Sequence, residues 1–220
     1  MSLPARMATK KAATYLIPTS HATPYGACID PFDNIWVAEW NGGKMARFDQ
    51  STGAWTEFVP PNFPSNFRRG PESDADGNIW TGMWDGGPKL PGKVAKLDPK
   101  TGRWTMWDIP HDHAQPYEAS LDRDGNIWFP DKNENFPDRP MAIGKLNPRN
   151  GTFVFYPRPQ FMADSTRVNH AADGSVHYTA RYGAAKDTGA FGVLFPDKDK
   201  ITTLAPVCAS SIARRTAGLS

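Results

Sequence analysis

The pentapeptide Asp-Gly-Asn-Ile-Trp occurs at 76–80 and again at 124–128, and a near copy, Phe-Asp-Asn-Ile-Trp, occupies 32–36. A weaker fourth copy puts His177 where the others have Trp, in Gly-Ser-Val-His-Tyr at 174–178. From Trp36 to Trp80, Trp128 and His177 the steps are 44, 48 and 49 residues. Two further landmarks move with this one. Gly43-Lys44-Met45-Ala46-Arg47-Phe48-Asp49 matches Gly92-Lys93-Val94-Ala95-Lys96-Leu97-Asp98, and Gly144-Lys145-Leu146-Asn147 is a shorter version. Thr52-Gly53, Thr101-Gly102 and Asn150-Gly151 each lead into an aromatic run. A self-similar period of this length is the mark of a repeat architecture.

Each unit reads as four strands. A short first strand precedes the Asp-Gly turn, as in Glu118 to Leu121. Asp-Gly is a strong hairpin signal because both central residues tolerate positive φ. The Ile-Trp segment opens the second strand. The Lys-x-Ala-Arg/Lys segment, with alternating apolar residues, is the third. The aromatic runs Trp55 to Phe58, Trp104 to Trp107 and Phe153 to Tyr156, with Ile201 to Leu204, form the fourth. Four strands per period is the blade of a β-propeller, whose two faces must pack against neighbouring blades. The expected fold is therefore all-β, a β-propeller of four-stranded blades at about 13–58, 59–107, 108–156 and 157–205. A flexible lead-in at 1–12 and a tail at 206–220 flank the blades.

Fourth-type strands precede the Trp landmark by about 20 residues, and Ala13 to Pro18 fits that slot ahead of Trp36. The chain is thus expected to hold four blades plus one extra outer strand at its start. That strand reads as the remnant of a preceding blade in a six- or seven-bladed ring. The alternative is a closed ring of four blades with one outer strand to spare. An open arc would expose apolar blade faces, and a homodimer through those faces is the expectation.

Composition narrows the function classes. With 8 Trp, 21 Pro and 19 Gly among 220 residues, short strands and turns are favoured over long helices. The net charge of +2 has no large basic block behind it, so nucleic-acid binding has no support. No apolar run approaches the length of about 18 residues that marks a membrane span. The first residues, MSLPARMATKKAA, lack the apolar stretch of a signal peptide, and the compartment stays open. Cys28 and Cys208 stand far apart and read as two unpaired thiols.

The unit from Pro24 to Phe58, P-Y-G-x-x-x-D-x-x-x-N-I-W-x-x-E-W-N-x-G-K-x-x-R-F-D-x-x-T-G-x-W-x-E-F, resembles blades of the virginiamycin B lyase (streptogramin lyase) family, and the likeness runs through about 13–205. Gluconolactonase and NHL-repeat propellers share similar blade grammar. The resemblance implies a seven-bladed propeller and a lyase that opens a cyclic depsipeptide ester by elimination, with Mg²⁺ at the central channel. It also implies a His general base and, 14 residues later in the same blade, a Glu. A base must lie within hydrogen-bond reach of its proton, so the two must converge on the channel mouth. The corresponding pairs here are Tyr25 and Glu39, Arg69 and Met83, Tyr117 and Asp131, and Thr166 and Ala180. No unit carries the His–Glu pair. Glu39 keeps the acidic half and Tyr25 stands in the slot of the His, which makes these two the catalytic candidates.

Residues just after each second strand should face the channel mouth. Trp40, Arg69, Trp84, Tyr117, Asp131 and Arg181 are accordingly the candidate ligand-binding set, with Glu39 and Asp131 the candidate metal ligands. Mixed charge and large rings suit a small, polar, ring-containing ligand. A solvated rim, in a propeller that serves only as a binding scaffold, is the competing reading. The Asp74-x-Asp76-Gly77-Asn78 and Asp122-x-Asp124-Gly125-Asn126 segments open like calcium loops, but position 12 is Asp85 or Asn133 rather than Glu. They read as hairpin turns with capping carboxylates. His21-Ala22-Thr23-Pro24-Tyr25 and His113-Ala114-Gln115-Pro116-Tyr117 are near copies, best explained by Pro shaping the blade link and Tyr packing at the rim. His111-Asp112-His113 reads as a loop rather than a metal site, and His170 and His177 as core or rim residues. The segments 86–92 and 132–141 are longer than their counterpart at 42–43 and could carry specificity.

Overall fold

A computed structural model describes residues 13–61, 67, 70–84, 91–132, 141–158, 163–182, 190–198 and 200–204, without the side chains of 163–166, 180–182, 190 and 200–204. Four antiparallel sheets of four strands follow one another along the chain as the blades of a β-propeller. Blade 1 is β1 (Pro24–Ile29), β2 (Asn34–Glu39), β3 (Lys44–Asp49) and β4 (Ala54–Phe58). Blade 2 is β5 (Glu72–Ser73), β6 (Ile79–Met83), β7 (Lys93–Asp98) and β8 (Arg103–Asp108). Blade 3 is β9 (Ser120–Leu121), β10 (Ile127–Asp131), β11 (Ala142–Asn147) and β12 (Thr152–Pro157). Blade 4 is β13 (Ala163–His170), β14 (Val176–Tyr182), β15 (Ala190–Phe195) and β16 (Lys200–Leu204). Strand order within each sheet is that of the sequence. The 3-10 turn Pro196–Lys198 is far too short to cross a membrane, and among the described residues no helix is long and apolar enough to do so.

The repeated pentapeptide owes its spelling to an aspartate two residues ahead of Asp-Gly. Asp122 accepts hydrogen bonds from the backbone N–H of Asp124 (2.9 Å) and Asn126 (2.8 Å), the Asn126 amide (2.9 Å) and the Trp128 indole (2.8 Å). Asp30 does the same for Phe32, Asn34 and Trp36, and Asp74 for Asp76, Asn78 and Trp80. One carboxylate therefore closes the turn and anchors the indole that fills the gap between blades. Its oxygens are spent on N–H donors, which rules in the turn reading and leaves nothing of the calcium loop. Blade 4 has Ala171 at this position, and His177 bonds Ser175 Oγ at 2.9 Å instead.

The Trp-bearing face of each blade packs on the Ile-bearing face of the next. Trp36 and Met45 meet Ile79 and Leu97; Trp80 and Val94 meet Ile127 and Leu146; Trp128 and Ile143 meet Val176 and Leu194. Each indole also packs on an aromatic of its own outer strand, stacked for Trp80 on Trp107 and Trp128 on Tyr156 and tilted for Trp36 on Phe58, at centroid distances of 5.5, 5.6 and 5.4 Å. The cation of the third strand covers the same ring, with Arg47, Lys96 and Lys145 lying 6.0, 5.5 and 5.0 Å from the centroids.

The expected extra outer strand at 13–18 is not formed. Residues 13–17 have no strand conformation, and the outer strand β4 pairs with β3 of its own blade. Among the described residues this segment pairs with no strand. It lies instead as a strap across the Ile-bearing face of blade 1. Tyr15 packs on Phe48 at 4.5 Å, and Thr19 donates from N (3.1 Å) and Oγ1 (2.7 Å) to Glu57 Oε1. The lead-in 1–12, the tail 206–220 and Cys208 lie outside the described residues.

Two predictions follow from the turns. Burial pushes the carboxyls of Asp30 and Asp122 up, but the indole, amide and backbone donors outweigh it and hold both below the ordinary value. Their contribution is thus complete above the unfolded value of about 3.9 and is lost as pH falls through the folded values. Asp122→Ala orphans a buried indole and two amides and is expected to cost about 2–4 kcal/mol in urea unfolding, with a weaker acid transition than the parent. In blade 1 the turn residue with positive φ is Asp33 (φ 64), where Gly77 and Gly125 stand in the next two blades. Because a Cβ is disfavoured there, Asp33→Gly should raise stability by about 0.5–1 kcal/mol in the same assay.

Candidate functional site at the channel mouth

The inner strands approach one another around the propeller axis. Ten residues before each Trp landmark stand Gly26, Gly70, Glu118 and Arg167. Gly70 lies against the backbone of Gly26 and Ala27, so blades 1 and 2 meet there with no side chain between them. Between blades 3 and 4 the same level carries the Glu118–Arg167 pair at 3.5 Å. Next along, Glu72 accepts from Leu121 N at 3.3 Å, and Ser120 Oγ contacts His170 Nε2 at 3.1 Å. Burial, then the Glu118 charge, pushes Glu72 above the usual glutamate range, and burial pulls His170 down. The Cys28 thiol is pushed up to about 12, by burial and then by Glu72 and Asp30, so it is not a nucleophile near neutral pH.

At one end of these strands four rings from three blades join. The near-copied segments 21–25 and 113–117 place His21 and His113 in the same left-handed backbone (φ 56 and 60). They also make the same bond to the end of the second strand, Trp40 N to Thr23 O and Lys132 N to Gln115 O. This repeated geometry aims Tyr25 and Tyr117 at each other, with hydroxyls 3.0 Å apart although 92 residues separate them. Trp40 flanks Tyr25 at 5.7 Å and Trp84 flanks Tyr117 at 5.9 Å. Lys132, only 2% exposed, lays its ammonium 3.9 Å from the Tyr117 centroid and 5.9 Å from that of Trp84. Trp84 and Tyr117 are buried, whereas Tyr25 is 37% exposed and Trp40 half-buried. The result is an aromatic platform open on its blade 1 side, with a cation beneath its blade 3 side.

The two candidate carboxylates are buried beside the segments that carry the platform tyrosines, Glu39 paired with Pro24 and Asp131 with Pro116. Glu39 is wholly buried on the Ile-bearing face of blade 1. Its carboxylate rests on Gly42, where any Cβ would collide with it, and under Thr19. Among the described residues no donor lies within hydrogen-bond geometry of its oxygens, though Thr19 and Glu57 act on it from nearby, while Lys44 beside it is engaged by Glu57 (2.8 Å) and Thr19 (2.7 Å). Burial, then the Glu57 charge, pushes the Glu39 carboxyl above the usual range. Asp131, also buried, accepts from Gln115 N at 2.8 Å through Oδ1 and lies 3.1 Å from His111 Nε2 through Oδ2. The two carboxylates have different neighbours, Gly42 and Thr19 for Glu39, Gln115 and His111 for Asp131. Among the described residues no group of three metal-ligating side chains converges.

Of the sequence candidates, Tyr25, Trp40, Trp84 and Tyr117 are thus brought together, and Glu39 and Asp131 are not. Arg69 lies outside the described residues, as does the side chain of Arg181 on β14. Lys132 was legible only as the residue in the register of Trp40 and Trp84. The Glu118–Arg167 pair could have been found by counting ten back from each landmark.

Similar solved structures bear on this arrangement. The chain has the fold of the streptogramin B lyases. A streptogramin B lyase structure superposes with TM-score 0.69 at 22% identity, covering 88% of this chain and 58% of that one. A catalytically inactive virginiamycin B lyase from Staphylococcus aureus with quinupristin gives 0.68 at 20% identity, covering 90% and 61%. A candidate gluconolactonase gives 0.58 at 13% identity, covering 83% and 62%. The chain spans about 58–61% of the length of the lyases it matches. No protein-family model matches it, and neither does any curated protein.

Because Glu39 is raised in the fold, its contribution to stability is present below the unfolded value of about 4.3 and is lost as pH rises through the folded one. Glu39→Gln removes that loss. The variant should gain on the parent in thermal melts as pH is raised from 4 to 8, and no change in the difference would show that Glu39 does not titrate there.

Proposed function

We propose that the protein is a ligand-binding propeller whose channel mouth holds a small, polar, ring-containing molecule, with cyclic esters the first class to test. The observation that carries this reading is the Tyr25–Tyr117 hydroxyl contact between blades, flanked by Trp40 and Trp84 and underlain by Lys132. Rings stack on the open Tyr25 and Trp40 surfaces, the two phenols offer hydroxyl donors and acceptors, and Lys132 supplies positive potential for an ester or lactone carbonyl. Rigid aromatic anchors of this kind add contact area at low entropic cost. Quinupristin accompanies a lyase of this fold, and a lactonase candidate shares it, which supports the choice of ligand class. The reading assigns no step to Mg²⁺ and no catalysis to Glu39, since a general base must reach its proton and Glu39 is sealed from the mouth.

The experiment is a titration of the whole chain with quinupristin and with a sugar lactone, read by tryptophan fluorescence and calorimetry. Saturable binding is expected, weakened at least about tenfold by Trp40→Ala and several-fold by Tyr25→Phe. Binding that survives Trp40→Ala and Tyr25→Phe unchanged would sink the assignment of the site. Turnover of quinupristin abolished by Tyr25→Phe would replace binding with lyase chemistry.

A further inference from the structure

Every blade has two faces, and the three junctions in the chain join them in one order, Trp-bearing face to Ile-bearing face. That order leaves half a junction at each end of the described propeller. On blade 1, Ile35, Val37, Phe48 and Trp55 form an Ile-bearing face with exposed Ala27 at its inner edge. Tyr15 and Ile17 lie along it and leave an apolar groove of about 360 Å³. On blade 4 the registers His177↔Val193 and Thr179↔Phe191 put four side chains on the face turned away from blade 3. Thr179 is exposed and the other three are half-buried.

We propose that the Ile-bearing face of blade 1 docks the His177-bearing face of a second copy of this chain, two copies closing head to tail into one ring. The surface continues an interface the chain already builds three times, and the two end faces are of the opposite kinds that those junctions join. Blade 4 is also changed where it would dock. His177 replaces the Trp, Val193 the third-strand cation and Ala171 the anchoring Asp. The smaller side chains at 177 and 193 leave room for Tyr15 and Ile17, which already occupy part of the groove. A heterologous contact of this kind closes into a ring when its rotation fits, and two sets of four blades make a ring at the upper end of the usual range of about 4–8 blades.

The test uses the whole chain. The parent should sediment at twice its 24.3 kDa mass, and Ala27→Arg should shift it to monomer with unchanged circular dichroism and a melting temperature that no longer rises with protein concentration. A monomeric parent overturns the proposal. The double variant Pro24→Cys/Thr179→Cys, at the positions where Gly82 meets Pro116 in the blade 2–blade 3 junction, should give a disulfide-linked dimer on oxidation that neither single variant gives. An intrachain bridge, meaning that four blades close on themselves, overturns it, and so does the absence of any new bridge. Equal cross-linking by Thr179→Cys alone, meaning a symmetric contact between two fourth blades, overturns it as well.

Discussion

The aspartate that anchors each tryptophan is the interaction on which the rest depends. A propeller blade has no core of its own, so its stability lies in the gap between sheets. The indole that fills this gap carries one N–H, and leaving that donor unpaired in a buried position is costly. Asp30, Asp74 and Asp122 satisfy it with the same carboxylate that closes the hairpin. Local turn and long-range packing are thereby tied to a single side chain. Contact with the outer-strand aromatic and with the third-strand cation adds to this anchor. Where the aspartate is missing, in blade 4, the tryptophan and the cation are missing too.

The same rigidity positions the site. The inner strands are short, two residues in blades 2 and 3, so the segments leading into them are free to turn toward the axis. The repeated His-x-x-Pro-Tyr segments share a left-handed residue and one backbone bond to the end of the second strand in blades 1 and 3, although in blade 1 Pro24 and Tyr25 already belong to the six-residue strand β1. Their tyrosines meet because the intervening blade holds the two at a fixed angle. Blade 2 adds Trp84 and blade 3 adds Lys132, so the platform is a property of three blades together.

Blade 1 shows what an unmatched face requires. Glu39, Lys44 and Glu57 lie on it beside Ile35, Val37 and Phe48, and the strap at 13–19 covers both parts. Thr19 and Lys44 satisfy Glu57, while Glu39 is left buried and raised above the glutamate range. A carboxylate that the sequence register assigns to the mouth has become part of the covering of a blade face.

How much was legible depended on whether a property was local. The period, the four strands per unit, the turns at Asp-Gly and Thr-Gly and the Trp ruler follow from residues within one blade, and the sequence by itself determined them. It also determined which positions stand at the mouth, because strand register turns a count of residues into a direction. Burial and partnership were decided only by the tertiary structure. Glu39 and Trp40 are neighbours in sequence, yet one is buried on a blade face and the other joins the platform, because successive strand residues point to opposite sides; Met83 and Asp131, the counterparts of Glu39 in the next two blades, are buried in the same way. Residues 13–18 have the pattern of an outer strand but take no strand form, since pairing requires an edge that pattern cannot supply.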